Sequence, residues 1–366
     1  MDSKSLLKFF FADIIPCLLI ATLLRWGIGE ISTVPTGSME RTIMPDDYVV
    51  LSKLHYGPRI TMTPLQVPLT HQKTHLLKIK SYLEWIKIPY FRFPGFSKVK
   101  RNDIVSFNYP AEIFLPIDIR TFYIKRCVGL PGDEIKMINN KVYINNEEIK
   151  NCEKSIAQYS FACEQILPES FFKTHGINTH FYKDASNEYI VELEEKQKKD
   201  FLKENPLPNI KLCSKRPTTT KPFIEAANYK DITNWGPIKI PNKGMKININ
   251  KETLALYGNT IVNYEHNENK CEIRDNELYI DGKKIDEYIF KQDYFFMIGD
   301  NRHDSIDSRS WGFVPEDHIY GKCIFIFNFY MLVLIIILIL LLFLFQDKIF
   351  LFIIETIKKI KKSLFH

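Results

Sequence analysis

The sequence predicts a mainly β protein held between two apolar helical segments. Three observations predict it. An uncharged apolar run from Ile324 to Phe345 lies near the C-terminus, and a weaker one, Leu6 to Ile28, lies near the N-terminus. Between them, short runs rich in β-branched and aromatic residues alternate with turn residues, the pattern of strands. Two segments, Asn140-Lys141-Val142-Tyr143-Ile144-Asn145-Asn146 and Asn276-Glu277-Leu278-Tyr279-Ile280-Asp281-Gly282, each place a strand before an Asn-Asn or Asp-Gly pair, the signature of a tight hairpin turn. The 366 residues suffice for one large or two ordinary domains. A hydrophobic share of 45% with 25% charged residues fits globular and membrane matter and excludes disorder. The net charge of +6 is spread thinly, with no Lys/Arg block in the central region, so a nucleic-acid partner is not expected.

Taken in order, residues 6–28 read as a membrane anchor preceded by Lys4 and Lys8 and interrupted by Asp13, Pro16 and Arg25. No A-x-A-like site follows the apolar stretch, which favours an uncleaved anchor over a removed leader. Residues 30–149 form the first part of a β core, with strands at Asp47–Leu51, Asp103–Phe107 and Thr121–Val128. Within it, residues 55–97 combine helix-breaking Pro58, Pro64, Pro68, Pro89 and Pro94 with aromatics such as Tyr82, Trp85, Phe91 and Phe96 and with interleaved Lys and Arg. That composition suits a bilayer interface and an ordinary core equally. Residues 150–235 read as an insertion or cap: Val191–Asn205 as a solvated helix, Arg216–Thr220 as loop, and no catalytic signal. Residues 236–323 continue the core.

The C-terminal segment at 329–346 is a transmembrane candidate, since a span needs roughly 20 apolar residues. Cys323 to Phe327 fit a last strand as well as the start of that helix. The basic tail at 347–366, with Lys358, Lys359, Lys361 and Lys362, marks a cytoplasmic end. Both termini are then inside, with the domain between them on the far side of the membrane. Seven cysteines without a C-x-x-C give no zinc spacing, and an odd count leaves a thiol free. Cys152 and Cys163 can pair in an extracytoplasmic setting, but spacing does not give connectivity.

Three segments carry chemistry. The stretch Gly299 to Pro315 (G-D-N-R-H-D-S-I-D-S-R-S-W-G-F-V-P) packs Asp300, Arg302, Asp304, Asp307 and Arg309 between apolar runs. Buried carboxylates and guanidiniums persist when paired, so this reads as a tight, specified turn. Ser38 lies in Pro35-Thr36-Gly37-Ser38-Met39, ten residues after Ile28. Such a serine is ordinarily a turn residue or helix cap. No G-x-S-x-G elbow is present and no histidine stands in a triad-like context, so a nucleophilic Ser38 would need another base. Lys125 is the candidate. On an extended strand Tyr123, Lys125 and Cys127 share one face, with apolar neighbours around the lysine. Desolvation lowers a lysine pKa, and a neutral amine can accept a hydroxyl proton. The competing reading is an edge-strand lysine with its head in water.

Together these segments resemble the boxes of the bacterial type I signal peptidases, membrane serine proteases with a Ser/Lys dyad. Pro35 to Met39 looks like the nucleophile box. Lys100-Arg101-Asn102-Asp103-Ile104-Val105 looks like the box that usually reads R-G-D-I-V. Tyr123 to Asp133 matches the general-base box, and Gly299 to Pro315 the last box. The boxes stand in the family's order, over roughly residues 8–135 and 235–322. The resemblance implies an antiparallel β fold, Ser38 as nucleophile and Lys125 as general base. It implies that Thr36, where relatives often carry serine, and the Ser38 amide form the oxyanion hole. Ser305 is implied to orient the lysine. Asp307 and Arg309, with Asp300 and Arg126, are implied to brace the site. No metal or organic cofactor is implied. The implied partners are exported preproteins, cut after small residues of the A-x-A type, and the lipid bilayer; the oligomeric state is left open. Arg41 stands where many members carry proline, which implies a less rigid turn. Asp46 and Asn102 stand where glycine is common, and both tolerate the left-handed conformation. Two other readings compete: a soluble, self-cleaving DNA-binding repressor, disfavoured by the two apolar spans and the lack of a helix-turn-helix pattern, and a non-catalytic anchored β-domain that binds exported segments, disfavoured by intact Ser38, Lys125 and Ser305.

Overall fold

The computed structural model describes residues 10–344, apart from 68–69, 75–76, 150–155, 163–166, 175–176, 178–180, 184–187, 205–210, 213–222, 227–228, 230–232 and 268–269. The architecture is mainly antiparallel β, as the sequence predicts. A seven-stranded sheet runs in the order Gly29–Thr33, Tyr48–Ser52, Ile319–Phe327, Ile104–Asn108, Phe122–Gly129, Tyr294–Ile298, Val314–Pro315, with every neighbouring pair antiparallel. The three expected strands are all in it, each starting one residue later than expected. The displaced residues serve the preceding turns. Asp47 accepts a hydrogen bond from Met44 N (2.8 Å) and Asp103 one from Lys100 N (3.0 Å). Thr121 gives its backbone N–H and its hydroxyl to Glu112 at 2.6 and 2.7 Å. At Asp47 and Asp103 a short polar side chain bonded to nearby backbone competes with the ladder, and at Thr121 the Glu112 carboxylate takes the backbone N–H.

Alternation along the strands supplies two cores. Val105, Phe107, Cys127, Met297, Trp311 and Val314 pack in one. Val34, Met39, Ile43, Val49 and Leu51 pack in the other, with Ile124 against them. Cys127 and Ile124 thus leave the same strand toward different cores, as a period of two requires.

A second module joins the four-stranded sheet Trp235–Lys239, Glu134–Ile138, Lys141–Ile144, Glu147–Glu148 to the helix Lys251–Tyr264 and the meander Cys271–Arg274, Glu277–Ile280, Lys283–Ile285. They share one core that includes Ile135, Ile144, Trp235, Ile261, Leu278 and Phe296. The helix begins with a capping box in which the Asn250 side chain accepts from Thr253 N and the Thr253 hydroxyl accepts from Asn250 N. The two near-repeats form the expected turns and one more each. Left-handed pairs flank each repeat strand on both sides: Asn139-Asn140 and Asn145-Asn146, then Asp275-Asn276 and Asp281-Gly282, with φ from 49° to 74°. Two successive positive φ values give the primed turn that matches strand twist.

Residues 156–212 form a separate four-stranded sheet, Lys211–Leu212, Ile156–Ala162, Glu188–Glu194, Phe181–Lys183, with its own core of Tyr159, Phe161, Phe172, Tyr189, Val191, Leu193 and Phe201 among others. The expectation of a helix from Val191 to Asn205 is corrected: Glu188–Glu194 is a strand and the helix is Glu195–Glu204. Val191 and Leu193 alternate with Glu192 and Glu194, and burying the two apolar side chains decides the conformation. Cys152, Cys163, Cys213 and Arg216–Thr220 lie outside the described residues. The cysteines Cys17, Cys127, Cys271 and Cys323 are free thiols.

At the N-terminal end a π-helical turn, Phe10–Ile14, leads into the helix Ile15–Gly27; at the other end the helix Phe329–Leu344 follows the strand Ile319–Phe327 after one residue. Among the described residues no helix is long and apolar enough to cross a membrane, these two having 13 and 16 residues, and residues 1–9 and 345–366 lie outside the description. Residues 55–97 hold little regular structure beyond isolated bridges such as Arg59↔Arg92 and Gln66↔Tyr82. Tyr82 is buried, but Trp85 and Phe96 are 82% and 80% exposed, so this run is largely surface.

Candidate active site

Ser38 sits in the middle of a single 3-10 turn, Gly37–Met39, that follows the extended residue Thr36. Met39 next to it is fully buried and anchors the turn in the core. Across from it, Lys125 projects from the strand Phe122–Gly129, which is held between Ile104–Asn108 and Tyr294–Ile298, so the lysine has no edge to escape from. Lys125 is 2% exposed. Its Nζ stands 2.5 Å from Ser38 Oγ and donates to the Ile124 carbonyl at 3.0 Å. The sequence spacing between the two is 87 residues, and the sheet alone brings them together.

Burial pulls the Lys125 pKa down from 10.5 to about 8, because the ammonium loses its hydration. Asp307, Asp300 and Asp304 oppose that shift and Arg309 adds to it. The Tyr123 ring, 5.3 Å from Nζ, forms part of the wall. The Thr36 hydroxyl lies 3.5 Å from Ser38 Oγ.

The segment Gly299–Pro315 forms the floor. The Asp307 side chain caps the helix Ser308–Trp311 by accepting from Arg309 N at 3.1 Å, and also accepts from Gly299 N at 3.1 Å. Arg309 closes on the same carboxylate through Nε (2.9 Å) and Nη2 (2.7 Å) and gives Nη2 to the Arg302 carbonyl at 2.6 Å. Both residues are at most 1% exposed. Two-point contact of this kind fixes geometry as well as charge. Arg126 makes a second two-point pair, Nε and Nη2 to Asp300 at 2.8 and 2.7 Å, and gives Nη1 to the Asn102 carbonyl. Ser305 is buried against Gly299. A Cβ built on Gly299 would fall 2.1 Å from Ser305 Oγ and 2.5 Å from the Ser38 carbonyl oxygen, so only glycine fits where these two meet.

The structure therefore brings together Ser38, Lys125, Thr36, Ser305, Asp307, Arg309, Asp300 and Arg126. It adds two residues that the sequence reading missed. The Thr42 hydroxyl donates to Asp300 Oδ2 at 2.6 Å, and Asn301 N donates to the Ser38 carbonyl at 3.2 Å. Asp300 is thus shared between the lysine strand and the nucleophile turn. Asp46 and Asn102 are left-handed, with φ of 66° and 69°, as expected. Arg41 is left-handed too, at φ 73°. A proline is locked near −65°, so the backbone after Ser38 takes a path here that proline cannot follow, which is a different matter from reduced rigidity.

No group of three or more His, Cys, Asp or Glu that could hold a metal occurs among the described residues. Comparison with known proteins agrees with the geometry. The family profile described as "Signal peptidase, peptidase S26" matches residues 7–205 and 236–331. Signal peptidase I of Buchnera aphidicola subsp. Baizongia pistaciae is 25% identical over 327 residues, which cover 87% of this chain and 75% of that protein. Signal peptidase I of Rickettsia typhi is 34% identical over 144 residues, 39% of this chain and 45% of that one. Signal peptidase I of Rickettsia akari is 36% identical over 135 residues, 37% and 41% respectively. With both halves of the sheet and the site they enclose inside the matched stretches, the chain belongs to the signal peptidase family, peptidase S26.

Proposed function

We propose that this serine peptidase removes signal peptides by a Ser/Lys dyad, with Ser38 as nucleophile and Lys125 as general base. The observation that carries the reading is the 2.5 Å approach of an enclosed lysine amine to a serine hydroxyl. Neutral Lys125 takes the Ser38 proton as the oxygen attacks the scissile carbonyl. The negative charge that develops is met by the Thr36 hydroxyl and the Ser38 amide; one such donor stabilises the transition state by about 3 kcal/mol. The protonated lysine then gives its proton to the leaving amine, and water, activated by the same amine, releases the acyl group. Ser305 orients the lysine, Asp307 and Arg309 hold Ser305's segment, and the Arg126–Asp300 pair fixes the strand to the turn. The preprotein lies extended along a strand edge, with small side chains before the scissile bond.

The test is cleavage of a model preprotein with the new N-terminus sequenced. Ser38→Ala and Lys125→Ala are expected to retain the fold by circular dichroism and lose cleavage. Lys125→Arg is also expected to be inactive, because a guanidinium does not deprotonate at working pH. Substantial residual activity in any of them removes the dyad.

We further infer an extracytoplasmic domain anchored in the bacterial inner membrane through residues 6–28 and 329–346, both termini inside. The supports are the apolar ends, with Leu19, Leu23 and Leu24 of the first helix and Tyr330 and Leu334 of the last all at least half exposed, and the exposed aromatics of residues 83–96. Exposed apolar surface of that extent marks a membrane or partner face.

A further inference from the structure

A second cluster of buried cations lies away from the dyad, at the end of the first helix. A cavity of about 270 Å³ is walled there by Thr22, Arg25 and Trp26 of the helix and by Lys53, Arg59 and Tyr320 among other residues. Lys53 and Arg59 are each only 7% exposed. Among the described residues neither has a carboxylate within ion-pair distance. Lys53 Nζ rests over the Tyr320 ring at 4.2 Å. Arg59 gives its guanidinium to neutral oxygens, the Asp317 carbonyl at 2.6 Å and Asn108 Oδ1.

Three acids are close, and all are engaged; the Asp317 carboxylate is held by His266 and His318. Glu30 is taken by Arg25 and Tyr320. Asp118, on the cavity wall, turns one oxygen to Thr63 N (2.8 Å) and the other to the Thr63 hydroxyl (3.0 Å). The C-terminal pole of the helix offers about half an elementary charge, which does not neutralise two enclosed cations. A buried charge without a partner is costly, so an anion is the missing part. Burial brings the Lys53 pKa down to about 7, with Arg59 and Arg25 adding to the fall against Glu30. An anion placed beside Lys53 would favour its charged form over the neutral one.

We propose that this cavity binds a phosphate group, with Lys53 and Arg59 as its counter-charges. Its surroundings favour a phospholipid headgroup as the source. The exposed Leu19, Leu23 and Leu24 run along the helix that forms one wall, and the Trp26 ring meets Phe93 edge-on at 6.1 Å, which joins the helix to the exposed aromatic run. A cationic cavity beside apolar surface is the complement of an amphiphile with an anionic head. The lipid source rests on the membrane placement proposed above; the phosphate chemistry does not.

The full chain in detergent micelles is titrated with inorganic phosphate in one arm and with a short-chain phosphatidylglycerol in the other. Binding is followed by calorimetry and by native mass spectrometry. One phosphate-bearing molecule per chain is expected. Lys53→Met is expected to weaken binding at least about tenfold and Lys53→Arg to preserve it, since a hydrogen-bonded charge contributes at least that much. Tight binding of the lipid alone identifies a headgroup, and equal binding of inorganic phosphate identifies a free anion. No uptake in either arm, or equal uptake by Lys53→Met, overturns the proposal. Preprotein cleavage measured on the same wild-type sample separates that failure from a failure of the peptidase reading.

Discussion

Lys125 is governed by two opposing influences. Desolvation lowers its pKa to about 8, and three nearby carboxylates raise it. In the proposed reaction the carboxylates work against the base before proton transfer and for the ammonium after it. The sign for activity follows. Only the neutral amine is a base, so kcat/KM should rise about tenfold per pH unit below about 8 and level off above it. A profile flat between pH 6 and 9 would remove Lys125 as the base. Thr42 offers a second test at this scale. Its hydroxyl bond to the Asp300 carboxylate is worth about 1.5–3 kcal/mol, and Thr42→Val should lose that much in denaturant unfolding. It should lower kcat more than it changes KM, because it loosens the tie between turn and strand without touching substrate. Unchanged stability and kcat would make that bond incidental. Lys125's place on its strand was legible because a period of two is local. Thr42 was not, because its partner is 258 residues away and nothing in the Ser38–Thr42 stretch announces it.

At the scale of elements, the turns decide more than the strands. Strand residues were read correctly wherever β-branched and aromatic side chains clustered, and misread by one residue where Asp47, Asp103 and Thr121 bond to the preceding turn. The strand at Glu188–Glu194 was hidden by its glutamates, whose charge outweighed the alternation of Val191 and Leu193 in the reading. The segments expected to begin at Asn140 and Asn276 instead open on left-handed pairs, Asn139-Asn140 and Asp275-Asn276, like the turns that follow. Arg41 gives the sharpest consequence. With φ at 73°, Arg41→Pro should destabilise the protein by about 3 kcal/mol or more and abolish cleavage, whereas Arg41→Gly should keep both stability and activity. An active, stable Arg41→Pro enzyme would show that the turn after Ser38 follows the relatives' path.

For the molecule as a whole, the order of segments and the mainly β class were legible, and the family followed from four boxes in sequence. The separate core of residues 156–212 was not, since its apolar residues are scattered among Glu and Lys. Placement relative to the membrane is tested by protease added to sealed vesicles from either side: residues 150–235 should be cut from the extracytoplasmic side alone. Cleavage from the cytoplasmic side would refute two spans. The sheet order carries one more consequence. The strand Ile319–Phe327 lies between Tyr48–Ser52 and Ile104–Asn108, and the lysine strand is held on its other side by Tyr294–Ile298. Ser38 and Lys125 are synthesised early, yet the strands Tyr294–Ile298 and Ile319–Phe327 that align them are made much later. Forming such long-range pairs must wait for the late segment. A nascent chain that stops short of these strands therefore holds Ser38 and Lys125 without the sheet that aligns them, and the site assembles only once residues 294–327 have been made.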